Sequence, residues 1–264
     1  MRKPALSVCL DDLRLDVKSA LDRARSLGFR AVDVGATAGP ISSSELSHTG
    51  RRHLAKHLGD LGLRLGSLRG PVAGSGYGDS RDGERRLEAL GGVIDLAASL
   101  RVPVVSTAVG AVGTTAAESH VDRLREALTA IADRADRAGV IVTIETAGLD
   151  TGTLSRLLAE VNCPLLAACC DSGAMLMQGE DPARVAEVLP GRVRLVRARD
   201  AVPGTATNPG HEVLHGQGGL DSERFLAALG EAAFQGDIVL TRKTGANAAA
   251  DLLLARQAFE RHLA

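Results

Sequence analysis

The sequence predicts an α/β protein built as a single (β/α)8 barrel, the TIM-barrel architecture, over residues 1–264. Short β-branched runs alternate eight times with longer segments of helical periodicity, and several of those segments end in a glycine that leads directly into the next run. The first run is followed by LDDLRLD, which contains no glycine. A doubly wound sheet, the main alternative, normally carries a glycine-rich phosphate-binding turn at that point.

The predicted strands are short and rich in Val, Ile, Leu and Ala. In chain order they are ALSVCL (5–10), AVDVG (31–35), LRLGSLR (63–69), VPVVSTA (102–108), VIVTIE (140–145), LLAACCD (165–171), VRLVRA (193–198) and DIVLT (237–241). Because a helical segment separates each strand from the next, the strands are expected to run parallel.

The segments between the strands have the apolar spacing of amphipathic helices. The first shows it at Val17, Ala20, Leu21, Ala24 and Leu27. Gly28, Gly62 and Gly139 come at the ends of such segments, where a left-handed residue lets the chain turn tightly into the next strand.

Composition excludes several classes of partner. The net charge is −1 and aromatic residues make up 2% of the chain, so the sequence offers neither a basic face nor stacking platforms for nucleic acid. There is no apolar stretch long enough to span a membrane. The four cysteines lack paired CxxC spacing and are expected to be free thiols. We therefore expect a cytoplasmic protein that acts on a small molecule, and a homo-oligomer stays open.

The functional residues of such barrels lie at the carboxyl ends of the strands. Two long loops, 70–80 and 200–220, follow the third and seventh predicted strands and are expected to be mobile lids without their own secondary structure. Glu145 and Asp171 end the fifth and sixth strands, and buried like charges on adjacent strands require a cation close by. Candidate polar groups on the last two strands are Arg197, Arg199, Asp200, Thr241 and Arg242.

Six tracts together resemble sugar-phosphate isomerases and epimerases of the xylose-isomerase-like TIM-barrel superfamily. They are GFRAVDVG, VTIETAG, CCDSGAML, VRARDA, EVLHGQGGLD and IVLTRKTG, and they extend over nearly the whole chain. The resemblance implies a divalent metal, Mn²⁺ or Mg²⁺, held at the strand ends by a Glu, an Asp, a His and a second Glu.

This chain keeps only half of that ligand set. The first Glu and the Asp fall on Glu145 and Asp171, whereas the His falls on Arg197 and the closing Glu on Thr241. Divalent metals of this kind prefer several oxygen ligands. We therefore expect no metal cofactor, with the Arg197 guanidinium in its place, forking between Glu145 and Asp171.

Further candidates surround this position. Arg69 ends the third strand, where it would meet substrate together with Arg199, Thr241 and Arg242. His215 lies in the loop after the seventh strand and is a candidate for binding or acid–base chemistry. Asp33, after the second strand, is expected to form either a structural hydrogen bond or a substrate contact.

Two functions stay open at this level. The first is a sugar or sugar-phosphate isomerase or epimerase in which Glu145 or Asp171 abstracts a proton and Arg197 stabilises the enediolate. The second is a catalytically lapsed barrel that binds a small anionic or sugar-like ligand. An endonuclease-like relative is disfavoured, because that chemistry needs a histidine-rich zinc cluster that this sequence lacks.

Overall fold

A computed structural model of the chain describes residues 4–71, 76–79, 81–110, 118–205 and 208–263. The eight barrel strands are β1 (Ala5–Cys9), β2 (Ala31–Gly35), β3 (Arg64–Arg69), β4 (Val104–Thr107), β5 (Ile141–Glu145), β6 (Leu166–Asp171), β7 (Val193–Ala198) and β10 (Asp237–Leu240). They are all parallel and form a closed barrel in the order β1-β10-β7-β6-β5-β4-β3-β2. The predicted (β/α)8 barrel is confirmed, and each predicted strand overlaps the observed one.

The helices surround the barrel. They are α1 (Val17–Ser26), α2 (His48–Leu61), α3 (Gly83–Leu100), α4 (Glu118–Ala138), α5 (Thr151–Val161), α6 (Ser172–Met177), α7 (Val185–Val188), α8 (Ser222–Glu231) and α9 (Ala248–Leu263). Side chains of Asp16, Ser47, Asp150 and Asp221 accept a backbone N–H in the first turn of α1, α2, α5 and α8. None of the helices in the described ranges is long and apolar enough to cross a membrane.

The turns from helix to strand use the predicted glycines. Gly28, Gly62 and Gly139 have φ angles of 85°, 63° and 64°, a left-handed conformation that is costly for other residues. The expectation from the sequence is confirmed at all three positions.

Two apolar layers stabilise the barrel. The larger one fills the space between strands and helices and contains residues such as Leu21, Ile94 and Leu128. A small lumen cluster, formed by Cys9, Val104, Cys169, Leu195 and Val239, fills the interior of the barrel. The side chains that follow these residues on the same strand faces form the polar layer described below.

The loop 200–220 is not the unstructured lid that the sequence suggested. It contains an antiparallel ribbon of β8 (Asp200–Val202) and β9 (His211–Val213). The carboxylate of Asp200 fixes the rest of the loop by accepting the backbone N–H groups of Gly216, Gly218 and Leu220, each at 2.9 Å. One carboxylate can accept hydrogen bonds from several buried backbone amides at once. The composition of the loop does not reveal that Asp200 orders it in this way.

The loop 70–80 falls partly outside the described residues, since residues 72–75 and 80 are not among them. Within its described part, Tyr77 is buried and its hydroxyl forms a 2.7 Å hydrogen bond with Thr107. Tyr77 therefore packs against the barrel, and the expectation that the loop is a mobile lid stays a prediction.

Candidate functional site

The polar side chains of the site come from alternating positions at the carboxyl ends of the strands. Residues two apart in an extended segment share one face, so β7 and the residue that follows it direct Arg197 and Arg199 to the barrel interior. Asp33 on β2, Glu145 on β5 and Asp171 on β6 meet them there. These five residues, with the side chains that bind them, are called the strand-end network.

Arg197 lies at the centre of the network and is 1% exposed. Its Nη1 and Nη2 donate to the two carboxylate oxygens of Asp33, each at 3.0 Å, and its Nε donates to Oε1 of Glu145 at 2.9 Å. Nη2 also donates to Oγ of Ser106 at 2.8 Å, and that hydroxyl in turn donates to Glu145 at 3.3 Å. The side chain therefore uses four of the five guanidinium N–H groups to connect four strands across the lumen.

One part of the expected arrangement is wrong. Arg197 binds Glu145 as expected, but its second carboxylate is Asp33 rather than Asp171. The reason is Arg199, which follows the end of β7 two residues after Arg197 and donates to both oxygens of Asp171, at 2.8 and 3.0 Å. Arg197 reaches across the barrel to β2 instead.

The charges of these arginines set the protonation of the buried acids. Burial by itself would raise the pKa of Asp33, but the charges of Arg197 and Arg69 and the hydrogen bonds from Arg197 and Ser67 hold it below its ordinary value. Burial would likewise raise the pKa of Asp171, yet the charge and hydrogen bonds of Arg199 keep it low. Both groups are therefore carboxylates at neutral pH.

A second part of the network connects the barrel to the β8–β9 ribbon. Glu212 on β9 accepts from Nη1 of Arg199 at 3.1 Å and from Nη1 of Arg242 at 2.8 Å. Arg242 also donates through Nε to Asp251 on α9 at 2.8 Å. The chain Asp171–Arg199–Glu212–Arg242–Asp251 thus alternates in charge from the lumen to the outer helix layer.

Arg69 is the most accessible cation close to Asp33, with 15% of its side chain exposed. It forms an ion pair with Asp11 and lies 3.5 Å from Oδ2 of Asp33. Its Nη1 also lies 3.0 Å from Sγ of Cys9. Burial raises the pKa of that thiol to about 12, so Cys9 is a neutral thiol and not a nucleophile at physiological pH.

Thr241 and His215 have different surroundings. Thr241 follows β10 and is buried, and its Oγ1 has no hydrogen-bond partner among the described residues. His215 does not join the network: its Nε2 lies 3.1 Å from Oγ of Ser222, and its ring packs on Phe259 at 5.3 Å between centroids. Burial lowers its pKa, which makes the neutral form dominant at physiological pH.

The strand-end network does not fit the divalent metal that the family resemblance implies. In the part of the chain that the structure describes, no three His, Cys, Asp or Glu side chains are grouped so that they could hold a metal ion. Both oxygens of Asp171 and one oxygen of Glu145 are already bound by arginine. A metal at these two carboxylates would have to displace buried guanidinium groups whose charge repels it.

The sequence did not single out four of the residues that complete the network. Ser106, Asp11 and Asp251 lie in no tract that was singled out, Glu212 begins the tract EVLHGQGGLD but was not named as a site residue, and Asp33 was left open between a structural and a substrate contact. The alternation within AVDVG offered a signal for Asp33, because an acid at an interior strand position requires a cationic partner.

Comparisons with known proteins agree with this architecture. The family model described as xylose isomerase-like TIM barrel matches residues 21–259. A xylose isomerase domain protein from Planctomyces limnophilus has a similar structure, with a TM-score of 0.84, 19% identity and coverage of 99% of this chain and 96% of that one. No curated protein matches the sequence.

Two further solved structures are similar over nearly their full length. A D-tagatose 3-epimerase-like protein matches with a TM-score of 0.81 and 16% identity, covering 98% of this chain and 97% of that one. An L-ribulose 3-epimerase matches with a TM-score of 0.77 and 17% identity, covering 100% and 95%. At these identities the similarity establishes the fold alone.

Proposed function

This chain belongs to the xylose isomerase-like TIM barrel family, and we propose that it binds a small sugar-like hydroxy-carbonyl compound at the carboxyl end of its barrel. In this proposal the protein holds no resident divalent metal and does not isomerise the bound compound. The fold and the epimerase structures similar to it support the ligand class. The chemistry of the strand-end network supports the absence of turnover.

The observation that carries the proposal is the saturation of Arg197. Isomerisation through an enediolate needs a cation or hydrogen-bond donor that can reach the oxygen on which negative charge develops. Arg197 is 1% exposed, and four of its N–H groups already donate to Asp33, Glu145 and Ser106. The Arg197 guanidinium is therefore engaged in internal ion pairs and is not available to bind a substrate oxygen.

Two acids of the network, Asp33 and Asp171, also make poor proton acceptors. A general base works best when its pKa lies near the operating pH. Asp33 and Asp171 have lowered pKa values, and both oxygens of each are bound by arginine. Abstraction of a proton from carbon by either group would first require its ion pair to break.

Charge balance favours a hydroxyl-rich ligand over an anion. The ion pairs of the network join four arginines to six carboxylates, which are Arg69, Arg197, Arg199 and Arg242 with Asp11, Asp33, Glu145, Asp171, Glu212 and Asp251. No excess of positive charge is left in these pairs for a phosphate or a sugar acid. Donors for sugar hydroxyl oxygens are offered by Arg69, by Arg242 and by the Thr241 hydroxyl, which has no partner among the residues that the structure describes.

The test combines binding with proton exchange. Ketoses, aldoses and their phosphates are screened by calorimetry in the presence of EDTA, and each compound that binds is then incubated with the protein in D₂O and followed by NMR. The expected result is binding of an unphosphorylated sugar with no deuterium uptake at carbon. Deuterium uptake, or binding that requires added Mn²⁺, would refute the proposal.

A specific observation favours a second candidate, a metal-free isomerase or epimerase with Glu145 as base. Both hydrogen bonds to Glu145 end on Oε1, and Oε2 accepts none from the residues that the structure describes. Glu145→Gln distinguishes the two functions, because it keeps the side-chain volume and removes the base. If this second candidate is correct, the substitution abolishes the deuterium uptake that the wild-type protein shows.

A further inference from the structure

The opposite, amino-terminal mouth of the barrel contains a cavity of about 510 Å³. It lies between the beginnings of β3, β4 and β5 on one side and of β7 and β10 on the other. Its apolar walls are Val104, Ile141 and Leu195, of which Val104 and Leu195 belong to the lumen cluster. Ligand pockets typically enclose roughly 300–1,000 Å³ and combine apolar walls with a few polar groups.

An unpaired carboxylate oxygen lies in this cavity. Arg64 donates to Oδ1 of Asp237 at 2.6 Å, whereas Oδ2 is buried and has no hydrogen-bond partner among the described residues. Gly66 faces this oxygen at the register shift between β2 and β3, and a Cβ at that position would lie too close to Oδ2. The glycine therefore keeps open the space beside an oxygen that needs a donor.

Arg194 supplies the complementary charge in the same cavity wall. Its Nη1 donates to the carbonyls of Gly191 and Val193, which holds the exposed side chain close to the barrel mouth. It forms no ion pair within the described ranges. An anionic group of a ligand would therefore meet a guanidinium that no carboxylate has neutralised.

We propose that the amino-terminal mouth binds a small zwitterion with an apolar side chain, the chemistry of an apolar α-amino acid. The ammonium group donates to Oδ2 of Asp237, the carboxylate accepts from Arg194, and the side chain contacts Val104, Ile141 and Leu195. This site lies at the opposite end of the barrel from the strand-end network and does not depend on the function proposed there.

The binding of four compounds, measured by calorimetry or protein-observed NMR, tests the three proposed contacts individually. Leucine and phenylalanine keep all three groups, 4-methylpentanoate lacks the ammonium group and 3-methylbutylamine lacks the carboxylate. Leucine is expected to bind, and each truncated analogue is expected to bind about tenfold or more weakly than leucine. Equal affinity of leucine and either analogue would overturn the assignment, as would no binding of leucine at about 10 mM.

Two variants and their controls locate the binding. Asp237→Asn is expected to weaken amino-acid binding about tenfold, and Gly66→Ala is expected to abolish it by displacing the Asp237 carboxylate. Asp60→Asn and Gly59→Ala are the matched controls, because both residues lie on α2, Asp60 is exposed and a Cβ at Gly59 meets nothing within 4 Å. If the first pair changes the affinity no more than the control pair, the ligand does not bind at this mouth.

Discussion

Replacement of Arg197 by alanine tests whether the strand-end network stabilises the barrel. The substitution leaves two buried carboxylates, Asp33 and Glu145, without the guanidinium that binds both. Removing one partner of a buried ion pair costs about 3–5 kcal/mol in the free energy of unfolding. We expect a total within that range rather than twice as much, because Asp33 keeps its 2.6 Å bond from Ser67 and its proximity to Arg69.

The stability lost on replacing Arg197 by alanine should depend on pH. In the wild-type protein the folded-state pKa of Asp33 is lowered, so its stabilising contribution is present above the unfolded pKa and is lost as the pH falls through the folded value. In the variant the lowering effect of Arg197 is lost, so the folded-state pKa of Asp33 is higher than in the wild type and protonation relieves the buried charge at a higher pH. The difference in stability between wild type and variant is therefore expected to be largest near pH 7 and to shrink toward pH 4.

Urea unfolding followed by circular dichroism at pH 7, 5 and 4 measures this difference. Arg125→Ala is the matched control, since Arg125 also pairs with two carboxylates, Asp122 and Glu160, but is 43% exposed. Exposed pairs contribute about 0–1 kcal/mol. Equal destabilisation by the two substitutions, or a loss at Arg197 that stays constant between pH 7 and pH 4, would refute the reasoning.

Three further outcomes follow from the same contacts. Thr241→Val removes, at nearly constant volume, a buried hydroxyl that has no hydrogen-bond partner among the described residues, and it is expected to leave stability unchanged or raise it by up to about 1 kcal/mol. A clear drop in melting temperature would show that Oγ1 has a partner. Asp200→Ala removes the acceptor of three loop amides, so amide hydrogen exchange of residues 211–220 is expected to become faster, whereas exchange of β5 is expected to stay unchanged. Equal acceleration in both segments would instead indicate global destabilisation. The double variant Arg197→His, Thr241→Glu is expected to bind Mn²⁺ weakly in calorimetry, because Arg199 still binds both oxygens of Asp171. Adding Arg199→Lys is expected to strengthen Mn²⁺ binding. Tight Mn²⁺ binding by the unmodified chain would contradict the conclusion that the strand-end network does not fit a divalent metal.

The sequence alone was sufficient for the fold. Alternation of eight strands with amphipathic helices and the glycines at 28, 62 and 139 are local signals, because each depends on residues close together in the chain. The residues at the strand ends could be predicted for the same reason, since a parallel barrel places all carboxyl ends at one rim. Arg197 and Glu145 were therefore correctly expected to meet.

Only the tertiary structure decided which charges pair. Arg197 and Asp33 are 164 residues apart, and their contact depends on the register of β7 and β2 across the closed barrel. Arg199 takes Asp171 because two side chains on one strand face differ in height by about 7 Å, a difference that no sequence motif records. Two further features also depend on which groups come close enough to bond in the folded chain. They are the ordering of the loop 200–220 by Asp200 and the Asp237 oxygen that has no hydrogen-bond partner among the described residues.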